Sequence, residues 1–302
     1  MNFERSPPAG TASSVTAFSP VAPRPMTEPS AAAPPAVLTF AATDPTSGAG
    51  LQADILTFAS MGCLPLSVVT AITVQDTAGV ESFLALDPDW VADQARCILE
   101  DIPVVAFKMG VLASTEIVTV VAEVVSDYPD IPLVLDPVLA SGRGDDFGGD
   151  EIVAAIRELL VPQSTVVTPN IPELRRLSDS DDEDDADHGE CARRLLDMGC
   201  EYVLVTGTHD PTTSVVNTLH HRDGIVRSDT WQRLPGSYHG SGCTLASAIA
   251  ANLARGLEVP EAVFEAQDYT WRALQRAFRP GMGQYIPDRL FWAREADGDD
   301  ED

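Results

Sequence analysis

Tyr238-His239-Gly240-Ser241-Gly242-Cys243-Thr244 runs directly into Leu245-Ala246-Ser247-Ala248-Ile249-Ala250-Ala251. Two glycines allow backbone amides to turn inward without Cβ clashes, and the small apolar run after them reads as a buried helix whose positive end faces that turn. The stretch is a candidate anion cradle with a thiol inside it. The helix dipole favours a thiolate at its N-terminus, which places Cys243 to take a proton beside a transferring phosphate. The other reading is a tight turn before a core helix, with Cys243 packed as a small apolar residue.

Upstream of this stretch, strand-like and helix-like segments alternate from residue 36 onward, the signature of helices packed on a mostly parallel sheet. Strands are predicted at 37–41, 66–72, 104–107, 132–135, 165–167 and 202–206. Helices are predicted at 50–60, 88–99, 115–125, 151–160, 190–198, 244–254 and 261–277. Two polar, β-rich stretches, 214–220 and 225–231, flank Arg222-Asp223-Gly224 and predict an antiparallel hairpin at the sheet edge. The fold class is α/β, a single domain over 36–290.

Open α/β sheets bind ligands at the carboxyl ends of their strands, so the residues just past each strand are the candidates for chemistry. After the first strand comes Asp44-Pro45-Thr46-Ser47-Gly48-Ala49-Gly50-Leu51-Gln52-Ala53-Asp54, a glycine-rich turn into a helix carrying two carboxylates. The second strand ends in Gln75-Asp76, the third in Lys108-Met109-Gly110-Val111, the fourth in Asp136-Pro137. Beyond these lie Thr168-Pro169-Asn170-Ile171-Pro172-Glu173 and Thr206-Gly207-Thr208-His209. Taken singly, each is also ordinary turn or capping chemistry, with Glu173 fitting a helix first turn. Lys108 also reads as a surface charge, and His209, His220 and His221 read as loop residues. Together, a glycine-rich helix start near each end of the chain, with acids and amides between them, supplies a nucleotide site and an acceptor pocket on one sheet edge.

Composition sets the frame. The 302 residues are 44% hydrophobic and carry 46 acids against 19 Lys and Arg, a formal net charge of −27 that argues against a nucleic-acid partner. Seven of the acids lie in 179–187 and six in 295–302, read as a solvated acidic insert (178–188) and an acidic tail (291–302). The run Asp181-Asp182-Glu183-Asp184-Asp185 lacks the spacing of a calcium loop. Five scattered cysteines without C-x-x-C spacing suit a reducing, cytoplasmic setting, and no apolar run reaches membrane-spanning length. Residues 1–35, rich in Pro, Ala and Ser, read as a disordered leader, with Met26 a plausible alternative start.

The chain resembles the ribokinase-like superfamily and, within it, the hydroxymethylpyrimidine/phosphomethylpyrimidine kinases of thiamine biosynthesis. The resemblance runs from about Val37 to Pro287 and rests on Asp44-Pro45, Gly48-Ala49-Gly50-Leu51-Gln52-Ala53-Asp54, Val69-Thr70-Ala71, Lys108-Met109-Gly110, Leu135-Asp136, Thr168-Pro169-Asn170 with Pro172-Glu173, and His239-Gly240-Ser241-Gly242-Cys243-Thr244. Most ribokinase-like enzymes carry Asp where this chain has Cys243; Cys there is characteristic of the pyrimidine kinases and of some similar pyridoxal kinases.

The resemblance implies a three-layer fold with helices on both faces of the sheet, ATP and Mg²⁺ as cofactors, and a homodimer. It implies that Asp44, Asp54 and Gln75 serve the pyrimidine, with Asp54 and Gln75 hydrogen-bonding it, that Val111 lines its pocket, and that Gly50 lets the ring approach the backbone. Asp136, Asn170 and Glu173 would organise Mg²⁺ and the ATP phosphates, Asp136 and Glu173 directly or through water, with Thr206 a further phosphate contact. The amides of Gly240, Ser241 and Gly242 would stabilise the transferring phosphoryl, and Cys243 would accept the substrate's proton. The chain departs from the family in having Ala42-Thr43 before the first Asp-Pro, and Thr206-Gly207-Thr208-His209 where many relatives place Lys-Gly-Gly-His. The implied activity is phosphorylation of 4-amino-5-hydroxymethyl-2-methylpyrimidine and then of its monophosphate. The rivals are a pyridoxal or pyridoxine kinase, and a non-catalytic pyrimidine-sensing protein on the same fold.

Overall fold

The computed structural model describes residues 33–139, 149–180, 187–209 and 213–294. Strand β1 (Ala36–Ala41) is buried at every position and pairs in parallel with β2 (Leu64–Val69) on one side and β5 (Val104–Met109) on the other. Beyond β5 the parallel ladder continues through β6 (Leu133–Leu135), β7 (Val166–Val167) and β8 (Tyr202–Thr206). The hairpin β9 (Ser214–His221) and β10 (Gly224–Gln232) closes this edge antiparallel, giving the order β10-β9-β8-β7-β6-β5-β1-β2. His220 and His221 thus end a strand rather than sit in a loop, and His220 is buried.

Side chains alternate across the sheet with the period of two that a pleated strand imposes. Phe107 and Met109 of β5, Leu133 and Leu135 of β6, and Val203 and Val205 of β8 pack into one core. That core holds helices α2 (Pro88–Asp101), α3 (Thr115–Ser126), α4 (Asp150–Ala155), α5 (Ile171–Ser178) and α6 (His188–Met198). Ala106, Val134 and Leu204 face the other way, toward α1 (Gly50–Ser60), α7 (Ser241–Ala254) and α8 (Val259–Gln275). The result is a three-layer α/β sandwich. Helix α7 is buried at every position from Cys243 to Asn252, as expected of a helix apolar on all sides.

Three local features differ from the sequence reading. The predicted strand 66–72 is two strands: the Thr70 amide donates to Ala41 and its hydroxyl to the Val111 carbonyl, and there the chain leaves the main sheet. β3 (Ala71–Gln75) then pairs with β4 (Val80–Ala85), unforeseen because Val80-Glu81-Ser82-Phe83 lacks clean alternation, in a separate two-stranded ribbon. Helix α5 also goes unlisted in the sequence reading; it is short, and its Asn170 cap and Glu173 form a reciprocal capping box. The predicted helix at 151–160 starts as α4 and finishes as a π-turn over Ile156–Leu160. Most of the leader, residues 181–186 of the acidic insert and residues 295–302 of the tail lie outside the described residues.

Candidate active site

The carboxyl ends of the parallel strands are stitched together by backbone hydrogen bonds: Gly110 to Phe40, Asp136 to Met109, Thr168 to Leu135 and Thr206 to Pro169, each 2.8 to 3.0 Å. This row forms the floor of a cavity of about 650 Å³. Two helix starts rise from it. Gly240, in the left-handed region at φ +78, caps α7, and the amides of its first turn have no partner within the helix. Gly50, at φ +57, opens α1; a Cβ there would fall 2.5 Å from the Ala42 carbonyl oxygen. The glycine at position 50 therefore lets α1 close onto the end of β1.

Most of the expected residues meet in this one cavity. Gln75 and Val111 join Gly50 at one end, Gly240, Ser241, Gly242 and Cys243 stand at the middle, and Asp136, Asn170, Glu173 and Thr206 line the far side. Asp54 and Asp44 do not belong to the wall. Asp54 is fully buried: its carboxylate accepts from Thr39 Oγ1 at 2.7 Å, Ser247 Oγ at 2.7 Å and Lys108 Nζ at 3.0 Å. Asp44 is equally buried and accepts from the Thr46 amide and hydroxyl, the Ala49 amide and His239. With those bonds made, both carboxylates shape the walls and neither is presented to a ring.

Lys108, a strand-end candidate that also read as a surface charge, is neither on the surface nor at a loop. Sheet alternation sends it to the same face as Ala106, under α1 and α7, where it is fully buried and also lies 3.7 Å from Asp136. Burial pulls the ammonium down, but Asp54, Cys243 and Asp136 outweigh it and hold Lys108 above its ordinary value. The cue in the sequence was the lysine's parity in an otherwise apolar strand. Arg176, Arg233, Trp231 and Trp271 also line the cavity, and only tertiary structure brings them there.

The thiolate expected from the α7 dipole is corrected. Burial, reinforced by Asp136, pushes the Cys243 thiol well up despite Lys108, so at rest it is a thiol facing the Asp136 carboxylate and the Gly50 amide. Burial also raises Asp136, and burial together with Asp136 pushes Glu173 up to about 8. Among the described residues, Asp136 Oδ2 has no hydrogen-bond partner, the Lys108 ammonium lying 3.7 Å away. Two raised carboxyls, buried Asp136 and half-buried Glu173, beside the first-turn amides of α7, suit a hard divalent cation that takes one or two carboxylates and completes its shell with water and phosphate.

Comparison with known proteins decides the family. Residues 44–288 match the phosphomethylpyrimidine kinase family. The chain belongs to that family. The kinase is 38% identical to the hydroxymethylpyrimidine/phosphomethylpyrimidine kinase of Escherichia coli over 250 residues, 82% of this chain and 94% of that protein. It is 39% identical to the Mycobacterium bovis enzyme of the same name over 277 residues, covering 91% and 98%. Among solved structures it resembles Staphylococcus aureus pyridoxal kinase in complex with ADP, with a TM-score of 0.80 at 27% identity, covering 87% of this chain and 96% of that one. It also resembles Clostridium difficile phosphomethylpyrimidine kinase, with a TM-score of 0.69 at 33% identity over 80% and 99%. These matches make the chain a phosphotransferase on the ribokinase-like fold. Among the described residues, no helix is long and apolar enough to cross a membrane.

Proposed function

We propose that this kinase uses ATP and Mg²⁺ to phosphorylate the hydroxymethyl group of 4-amino-5-hydroxymethyl-2-methylpyrimidine, and then its monophosphate to the diphosphate, in cytoplasmic thiamine biosynthesis. The observation that carries the reading is the single cavity joining Gln75 and Val111 at one end to Glu173 and Thr206 at the other, with the α7 amides and Cys243 between.

In this reading the Gln75 amide, able to donate and accept, pairs with the aminopyrimidine edge, and Val111 packs against the ring. The first-turn amides of α7 hold the charge of the transferring phosphoryl, and the Lys108 ammonium, paired with Asp54, lies 3.7 Å from Asp136 beneath it. Asp136 and Glu173 hold Mg²⁺, directly or through water; when bound, the ion neutralises charge on the phosphates. Cys243 accepts the acceptor hydroxyl's proton as it passes its own S–H proton to the Asp136 carboxylate it faces, while the new oxygen–phosphorus bond forms and the phosphoryl's bond to ADP breaks. Phosphoryl transfer needs positioning and charge neutralisation more than a strong base, so a proton relay through a thiol that is protonated at rest suffices. The base end of ATP lies toward Trp231 and Trp271, with Asn170 and Thr206 at its phosphates. A homodimer belongs to the same reading: Ile72, Val74 and Leu84 stand 49–65% exposed on the β3–β4 ribbon, an apolar face suited to a second copy.

The test is ADP release with Mg·ATP and, separately, hydroxymethylpyrimidine, its monophosphate and pyridoxal, comparing wild type with Gln75→Ala and Cys243→Ala. Turnover on both pyrimidines, severely reduced in the variants, supports the reading. A pyridoxal kinase is the second reading, favoured by the higher TM-score to the S. aureus enzyme; turnover on pyridoxal alone would establish it. No turnover on any acceptor would point to the sensor.

A further inference from the structure

The turn at residues 44–50 and the start of α7 lie 195 residues apart at their closest side-chain bond, yet they touch backbone to backbone. A Cβ on Gly240 would fall 1.9 Å from the Gly48 carbonyl oxygen, and a Cβ on Gly48 would fall 2.2 Å from the His239 ring. Within the turn, Asp44 is the organiser. One oxygen accepts from the Thr46 amide and hydroxyl at 2.8 Å each, and the other accepts from the Ala49 amide at 2.7 Å. Ser47 is held in the left-handed region at φ +60, a conformation a non-glycine residue keeps only under external restraint.

That restraint comes from the α7 side. His239 Nε2 lies 2.8 Å from the second Asp44 oxygen, with the imidazole 15% exposed and the carboxylate 1% exposed. On the opposite side of the turn, Arg289 donates to the Ser47 and Gly48 carbonyls and to Thr244 Oγ1. The acceptor-side turn and the phosphoryl-side amides are therefore tied on one side by Arg289 and on the other, at Asp44, by His239.

We propose that His239 is a positioning residue for phosphoryl transfer, acting through Asp44 to register the 44–50 turn against the first turn of α7. The inference rests on the kinase reading above. His239 spends Nε2 on Asp44, so its contribution lies in alignment rather than in substrate affinity. A misalignment of about 1 Å at a reacting centre costs on the order of a hundredfold in rate.

The test uses His239→Ala, His239→Gln and His239→Asn in the full chain. Gln places its amide N–H where Nε2–H stands, and Asn places it where Nδ1 stands. With hydroxymethylpyrimidine and Mg·ATP, His239→Ala should lose about a hundredfold in kcat with both KM values within about threefold. His239→Gln should recover at least tenfold of that loss and His239→Asn should not. Hydrogen exchange by mass spectrometry supplies a readout independent of activity: amides of residues 46–51 should exchange faster in the Ala and Asn variants and at the wild-type rate in Gln. Unchanged kcat, a rise in the pyrimidine KM alone, or equal behaviour of the Gln and Asn variants would overturn the proposal. If wild type turned over no pyrimidine, the kinase reading would fall, and the exchange pattern would still decide whether His239 holds the turn.

Discussion

The Lys108 ammonium lies 3.0 Å from both oxygens of the Asp54 carboxylate, and neither side chain has any exposure. The pair joins β5 to α1 beneath the cavity, and Thr39 and Ser247 saturate the remaining acceptor positions. Removing one partner of a buried ion pair leaves an uncompensated charge, which costs about 3–5 kcal/mol. Lys108→Met should therefore lower the melting temperature strongly. Lys108→Met/Asp54→Asn should recover part of that stability without recovering activity, because Asp136 still lacks its cation. Thermal unfolding of the single and double variants, with ADP release alongside, checks both halves.

Cys243 and Gly240 separate base chemistry from geometry. Cys243→Ala removes the proton acceptor and should lower kcat by about 10²–10³, within the range for general-base removal. Gly240→Ala should cost more, since the new Cβ would strike the Gly48 carbonyl and φ is +78. Steady-state kinetics of the two variants decides the order. Alkylation provides a second check: at neutral pH iodoacetamide should label exposed Cys97 well before Cys243, whose thiol is pushed up by burial.

Burial and the neighbouring Asp136 make Glu173 take up a proton on folding below about pH 8. In the absence of Mg²⁺, Glu173→Gln should raise the melting temperature at neutral pH by about 2–4 °C, because a neutral amide avoids that cost while keeping the capping box with Asn170. The same variant should need about tenfold more Mg²⁺ for half-maximal nucleotide binding. Thermal shift measured across a Mg²⁺ titration reads both effects, and they have opposite signs.

Asp44 predicts an acid limb of stability. Burial works to raise its carboxyl, but the hydrogen bonds from His239, Ala49 and Thr46 outweigh it and hold the carboxyl below the ordinary value of 3.8. Stability from a depressed carboxyl is fully present above the unfolded value and is lost as pH falls through the folded one. Asp44→Asn should thus be less stable than wild type by about 1.5–3 kcal/mol at pH 5, the range for hydrogen bonds to a charged group. The gap should narrow as pH drops toward 3. Urea unfolding of both proteins from pH 6 to pH 3 measures it; a gap that widens on acidification would contradict the assignment.

The sequence determined what depends on local pattern. The small, mostly apolar run after Thr244 reads as a helix buried on every side, and the two-residue alternation of β6 and β8 divides between the two helical layers. Residues following the strands were legible as site candidates because a parallel sheet brings those ends to one edge. Tertiary structure alone decided which candidates face the cavity. Asp44, Asp54 and Glu173 are all acids next to glycine- or proline-rich turns, but whether a carboxylate meets solvent or a ring of internal donors depends on partners as distant in the chain as His239 and Ser247. The state of Cys243 was hidden for the same reason: a helix dipole can be read from sequence, whereas burial beside Asp136 outweighs it and exists only once the layers close.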